Sequence, residues 1–226
     1  MAGTIIEVAA HPRRDPDGRE ISSAMRITVA IFVITTIAGI AASASWANAT
    51  QNRFTSIANK DCTFAPIGNE PEDAEDQLKT CPGVGGAQVL VNALGTRLRI
   101  GFRWPKGGQP QKIIWAVEAW SAGLTINWRG SGNDKTFEPY AAIVRMKFQK
   151  QDLPVAGDQI LAVIRIAPDT ACVMGAVDAG ANPNANEAAH ALADAAPSFA
   201  CGKDKPTIGG VSTRAAEEIA RGIAEQ

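Results

Sequence analysis

In the stretch "TRLRIGFRW", residues 96–104, Leu98, Ile100, Phe102 and Trp104 alternate with Arg97, Arg99, Gly101 and Arg103. A period of two marks an extended strand with one buried and one wet face, because successive side chains on an extended backbone point to opposite sides. Strand-like runs occupy Gln88 to Ala93 before it, and Lys112 to Trp120, Leu124 to Arg129, Tyr140 to Gln149, Gln159 to Ile166 and Ala171 to Val177 after it. They are separated by "PKGGQP", "RGSGNDKTFEP", "QDLPVAGD" and "APDT", which have the composition of turns and loops. Connections of hairpin length imply antiparallel pairing. Two helices follow: Asn184 to Ala196, with Ala188, Ala189, Leu192 and Ala196 toward one side and Pro197 at its end, and Thr213 to Glu225, with Ala215, Ala216, Ile219 and Ile223 at helical spacing. The pattern predicts an α+β domain: a mainly antiparallel sheet of six or seven strands, one helix after the last strand and another at the C-terminus.

The compartment decides how the cysteines are read. From Met25 the chain runs through an apolar stretch, Ile27 to Ala42, to Ala47-Asn48-Ala49, the A-x-A pattern that signal peptidase cuts. The apolar stretch is short of the roughly 20 residues that span a bilayer. Residues 25–49 therefore read as a signal peptide and 50–226 as a single mature domain beginning at Thr50. Residues 1–24 carry Arg13, Arg14 and Arg19 against Glu7, Asp15, Asp17 and Glu20, which is not the positive n-region of a signal peptide. They are expected to be a non-native or disordered extension, with Met25 as the true start.

All four cysteines, Cys62, Cys81, Cys172 and Cys201, fall after the cleavage site. An even number in an exported chain implies disulfides, and four cysteines allow three connectivities. The local pairing, Cys62 with Cys81 and Cys172 with Cys201, is expected, because each pair brackets one small unit: an acidic loop, and a strand followed by a helix. No C-x-x-C occurs, and the spacings do not suit a zinc ribbon.

The segment "DAGANPNANEAAHALADAA" gathers Asp178, Asn182, Asn184, Asn186, Glu187 and His190. An EF-hand loop counted from Asn182 needs glycine and glutamate where Glu187 and Ala193 stand, so calcium is not favoured. Asparagines ahead of an alanine-rich run are expected to cap a helix. His190 lies among alanines in that helix, no G-x-S-x-G occurs, and "CPGVGGA" has neither a P-loop lysine nor a dinucleotide spacing, so no catalytic residue, metal or cofactor is expected. The acidic run "EPEDAEDQ" reads as a solvated loop held by a disulfide. Of Trp104, Trp115, Trp120 and Trp128, Trp115 and Trp120 should point to opposite faces of a strand, so that at most one is core.

"CPGVGGAQVLV", "LRIGF", "PYAAIVRMKF" and "VDAGANPNANEAAHALADAAPSFACGKDKP" resemble a family of small exported alphaproteobacterial proteins without an assigned activity. The likeness runs from about Cys62 to Pro206; it implies export and a single domain and carries no site over. Where the family often has "LAR", this chain has "AAH" at Ala188 to His190.

With 22 Lys and Arg against 23 Asp and Glu, the net charge of −1 implies no bulk attraction to nucleic acid or membrane. Against that balance the row Arg97, Arg99 and Arg103 forms a local cationic stripe, expected to meet acidic partners on neighbouring strands, or to be covered by the loop at Glu70 to Asp76, or to bind an anion. The expected function is that of an exported, non-enzymatic protein binding another protein or an anionic envelope component, with a membrane link only through an uncleaved signal segment. The rival is an envelope hydrolase using carboxylates such as Asp178 and Glu187.

Overall fold

A computed structural model describes residues 50–67, 77–106, 112–147 and 159–222. Residues 1–49, which include the stretch read as a signal peptide, the acidic residues Glu70 to Asp76, "GGQP" at 107–110 and all of "QDLPVAGD" lie outside the described residues. The strands are β1 (Gln51–Ser56), β2 (Thr63–Pro66), β3 (Gln77–Pro82), β4 (Gln88–Leu94), β5 (Arg97–Arg103), β6 (Ile114–Ala119), β7 (Ser121–Ser131), β8 (Glu138–Lys147), β9 (Gln159–Ala167), β10 (Thr170–Asp178) and β11 (Thr207–Ile208). The helices are α1 (Ala185–Asp194) and α2 (Arg214–Ala220).

The single sheet expected from the sequence is two sheets. One has six strands in the order β1-β7-β8-β9-β10-β11, the other five in the order β2-β3-β4-β5-β6. Periodicity reports that a strand has a buried face but not which sheet it joins. Here Trp120 alone separates β6 from β7, and at that residue the chain passes from the five-stranded sheet into the six-stranded one. Every pairing is antiparallel except β10 with β11, which the α1 crossover makes parallel.

The inner faces of the two sheets make the main core. Val89, Val91, Ile100, Phe102, Ala116 and Val117 come from one sheet, and Ile126, Trp128, Val144, Met146, Ile160 and Ile164 from the other. Phe102 meets Trp128 edge to face, with ring centroids 5.7 Å apart, and the Trp128 Nε1–H donates to Thr55 Oγ1 at 2.9 Å. The buried indole thus keeps its one polar group satisfied. α2 closes part of this core with Ala215, Ala216, Ile219 and Ala220 and packs on β10, beside β9, β11 and β6. Three of its expected apolar positions are buried as the periodicity predicts; Ile223 lies outside the described residues.

α1 covers the other face of the six-stranded sheet. Its Ala185, Ala189 and Ala193, with Ala196 just beyond, are buried against Ala141, Ile143, Leu161, Val163, Met174 and Val177. A bulge between Val173 and Gly175 lets β10 serve both layers, so that Val173 and Ala176 face the inter-sheet core while Met174 and Val177 face α1. Gly175 has to be small, since a Cβ there would stand 2.7 Å from Thr207 O and 2.9 Å from Leu192 Cδ1. The described residues are therefore layered sheet, sheet, helix, and belong to one compact unit.

Both disulfides join the cysteines that the local pairing predicts, Cys62 with Cys81 and Cys172 with Cys201. Each closes a loop of the size for which chain entropy gives about 3 kcal/mol. Such bonds fit a chain that folds in an oxidising compartment.

Candidate functional site

β5 lies inside the five-stranded sheet, between β4 and β6. Because Ile100 and Phe102 point into the core, Arg97, Arg99 and Arg103 share the opposite face, about 7 Å and about 13 Å apart along the strand. Their partners come from the two neighbouring strands. Arg99 Nε donates to Glu118 Oε2 at 2.7 Å, Arg97 NH1 stands 3.6 Å from Glu118 Oε1, and Arg103 Nε donates to Gln88 Oε1 at 2.9 Å. Among the described residues two arginines thus share one carboxylate and the third meets a neutral amide, which leaves a positive surplus there. The expected acidic neighbour exists in Glu118; the loop at Glu70 to Asp76 is outside the described residues.

Between Arg99 and Arg103 sits Gly101, opposite Trp115 on β6. A Cβ on Gly101 would lie 2.9 Å from Trp115 Cε3, so the half-buried indole rests where a side chain would otherwise stand. Trp104 and Trp128 are buried, whereas Trp115 and Trp120 are both only partly buried, so neither of that pair is wholly core. A bulge between Ile100 and Gly101, and the position of Trp120 outside the ladder, remove the simple alternation on which the opposite-face expectation rested.

Trp115 also lines a cleft of about 580 Å³ with Lys112 and Ile114, the β9–β10 turn from Pro168 to Ala171, the Cys172–Cys201 disulfide and Gly202.

The loop from Asp178 to Asn184 is tied into the fold by its own hydrogen bonds. Asp178 is 2% exposed. Its Oδ1 accepts from the N–H groups of Gly180 and Ala181 at 2.8 and 3.1 Å, and its Oδ2 from Thr213 Oγ1 at 2.7 Å. Thr213 in turn caps α2 by accepting from Ala216 N. The asparagines do not cap α1 as expected. Asn184 stands at the N-cap without a side-chain bond, and Asn182 instead donates to Asp178 O and accepts from Val211 N at 2.8 Å. Satisfying the polar groups of a crossover loop takes precedence here over capping a helix whose first turn is wet.

Sequence reasoning missed a polar cluster on the helix side of the six-stranded sheet. Arg129 forks onto Asp194 of α1, with Nε to Oδ1 at 2.9 Å and NH2 to Oδ2 at 2.7 Å, while NH1 reaches Asn52 Oδ1 at 2.9 Å. Tyr140 Oη donates to the same carboxylate at 3.3 Å. His190 Nε2 lies 2.8 Å from Asn127 Nδ2. Burial pushes the His190 pKa below its ordinary value, and the Arg129 guanidinium pushes the same way against Asp194 and Glu187. The one available signal was Arg129 directly after the core Trp128, a charge at a strand position whose neighbours are all structured.

Among the described residues no three His, Cys, Asp or Glu side chains gather in a way that would hold a metal, and no helix is long and apolar enough to cross a membrane. Compared with protein-family models, curated proteins and solved structures, the chain finds no match.

Proposed function

We propose that this chain is an exported, non-enzymatic binding protein that works in the periplasm or outside the cell and holds an anionic envelope component on the outer face of its five-stranded sheet. Kinship with the exported alphaproteobacterial family that its motifs resemble belongs to the same proposal. The observation that carries it is the arginine row on β5, where three guanidinium groups meet one carboxylate and one amide among the described residues. Guanidinium forks suit carboxylate and phosphate groups, and a rigid central strand fixes their spacing before any ligand arrives. Two disulfides and an A-x-A motif ahead of the domain support export.

The rival reading, a hydrolase working through Asp178 and Glu187, has less behind it. Both oxygens of Asp178 already accept hydrogen bonds inside the fold, and Glu187 is exposed in the first turn of α1. A general acid or base needs a lone pair or proton directed at a substrate.

Retention on a column of immobilised anionic polysaccharide at low salt tests the proposal. The wild-type protein should be retained, and the variant Arg97→Gln, Arg99→Gln, Arg103→Gln should pass through while keeping the wild-type melting profile. Equal retention of the two proteins would refute the assignment of the face.

A further inference from the structure

The cleft beside Trp115 narrows the class of ligand, on the premise that the arginine face is a binding face. Its volume of about 580 Å³ falls within the roughly 300–1,000 Å³ of sites that take small molecules. One wall is the edge strand β6 with the preceding residues, giving Lys112, Ile114 and Trp115; the other is the β9–β10 turn, giving Asp169 and Thr170.

Gly101 sets the indole in place. A Cβ there would stand 2.9 Å from Ile114 O and 2.9 Å from Trp115 Cε3, so a residue with any side chain would push both the bulge and the ring outward. The ring is therefore held against the sheet between the positions of Arg99 and Arg103, with its remaining surface part of the cleft lining. A fixed, half-exposed indole offers a flat apolar platform to the C–H face of a sugar ring. The Thr170 hydroxyl and the Asp169 carboxylate supply hydrogen-bond partners for ring hydroxyls. Lys112 is exposed and supplies a cation for an acid group, and Trp115 pairs with Gly101, so that Arg99 and Arg103 flank the ring's position one strand away. Glycoside hydrolysis uses a pair of carboxylates, and the described lining offers one, Asp169, which suits retention of a glycan rather than its cleavage.

We infer that this cleft is a subsite for one unit of an acidic glycan, its ring stacked on Trp115 and its acid group met by Lys112, with neighbouring units running onto Arg99 and Arg103. Calorimetric titration of the mature protein with oligogalacturonate and with polyphosphate, an anion that has no sugar face, separates the cleft from the stripe. Trp115→Ala should weaken oligogalacturonate binding about tenfold and leave polyphosphate binding unchanged. Lys112→Gln, at an exposed position where folding is not at stake, should weaken oligogalacturonate severalfold with the same selectivity. The triple arginine variant should lose both ligands. Wild-type affinity of the Trp115 and Lys112 variants for oligogalacturonate, an equal loss of both ligands in either variant, or no oligogalacturonate binding by the wild-type protein would overturn the subsite. Polyphosphate binding that disappears with the three arginines would still leave the face itself standing in each of those cases.

Discussion

Arg129 and Asp178 are the two charged side chains buried among the described residues, and they are stabilised in different ways. Asp178 is surrounded by donors from its own loop and from Thr213, so its charge is answered by hydrogen bonds alone. Arg129 is answered by Asp194, whose side chain is 43% exposed while that of Arg129 is 10% exposed. The asymmetry gives an ordered prediction. Asp194→Ala strands a buried guanidinium and should cost about 2 kcal/mol, below the full penalty for a buried pair because water still reaches the rim. Arg129→Met removes the buried charge and leaves a carboxylate that water can solvate, so it should cost less. Urea unfolding of the two variants measures both, and a reversed order would contradict this reading.

His190 gives the pH dependence at the same scale. Its pKa in the fold is lowered, so the unfolded chain takes up a proton more readily than the folded one. The contribution is therefore complete above the unfolded value of about 6.5 and is lost as pH falls toward the folded value. His190→Gln should flatten the fall of the stability curve that begins as pH drops below about 6.5, read from melting midpoints on the acid side of that value. An identical slope in both proteins would show that carboxylates alone set the acid response.

At the scale of elements, the helix and the strands differ in how plainly the sequence announces them. β5 is legible because Leu98, Ile100 and Phe102 alternate with charged or small residues, and the arginine row follows from that alternation alone. β1, β2 and β3 are not, since "QNRFTS", "TFAP" and "QLKTCP" contain no regular apolar period; β1 and β2 are edge strands with little to bury. The partner Glu118 was out of reach for a related reason, because the register of β5 with β6 is broken by the bulge between Ile100 and Gly101, whereas Gln88 faces Arg103 across the regular β4–β5 ladder. The Arg129–Asp194 fork spans 65 residues, a distance over which periodicity says nothing. α1 was legible as a helix, and its small face has a packing consequence. Ala189 is fully buried against the sheet, so Ala189→Leu should destabilise the domain by about 1–3 kcal/mol through overpacking, whereas the same change at exposed Ala191 should be nearly neutral. Paired denaturation curves test this, and equal effects at the two positions would mean that α1 does not seat closely on the sheet.

For the whole molecule, the disulfides and the layered core account for a rigid scaffold, and its surface charge accounts for the proposed use. A net charge of −1 gives no general attraction to polyanions, so any binding has to come from a local concentration of cations. The outer face of the five-stranded sheet supplies one, fixed by β5 and flanked by Trp115. The measurement that bears most directly on this account is the affinity of residues 50–226 for an anionic polysaccharide as ionic strength rises from about 0.01 M to about 0.15 M, where the screening length shortens from about 30 Å to about 8 Å. The account predicts binding that weakens steeply over that interval in the wild-type protein and is missing throughout in the Arg97→Gln, Arg99→Gln, Arg103→Gln variant. Salt-independent binding, or binding that survives the triple substitution, would contradict it.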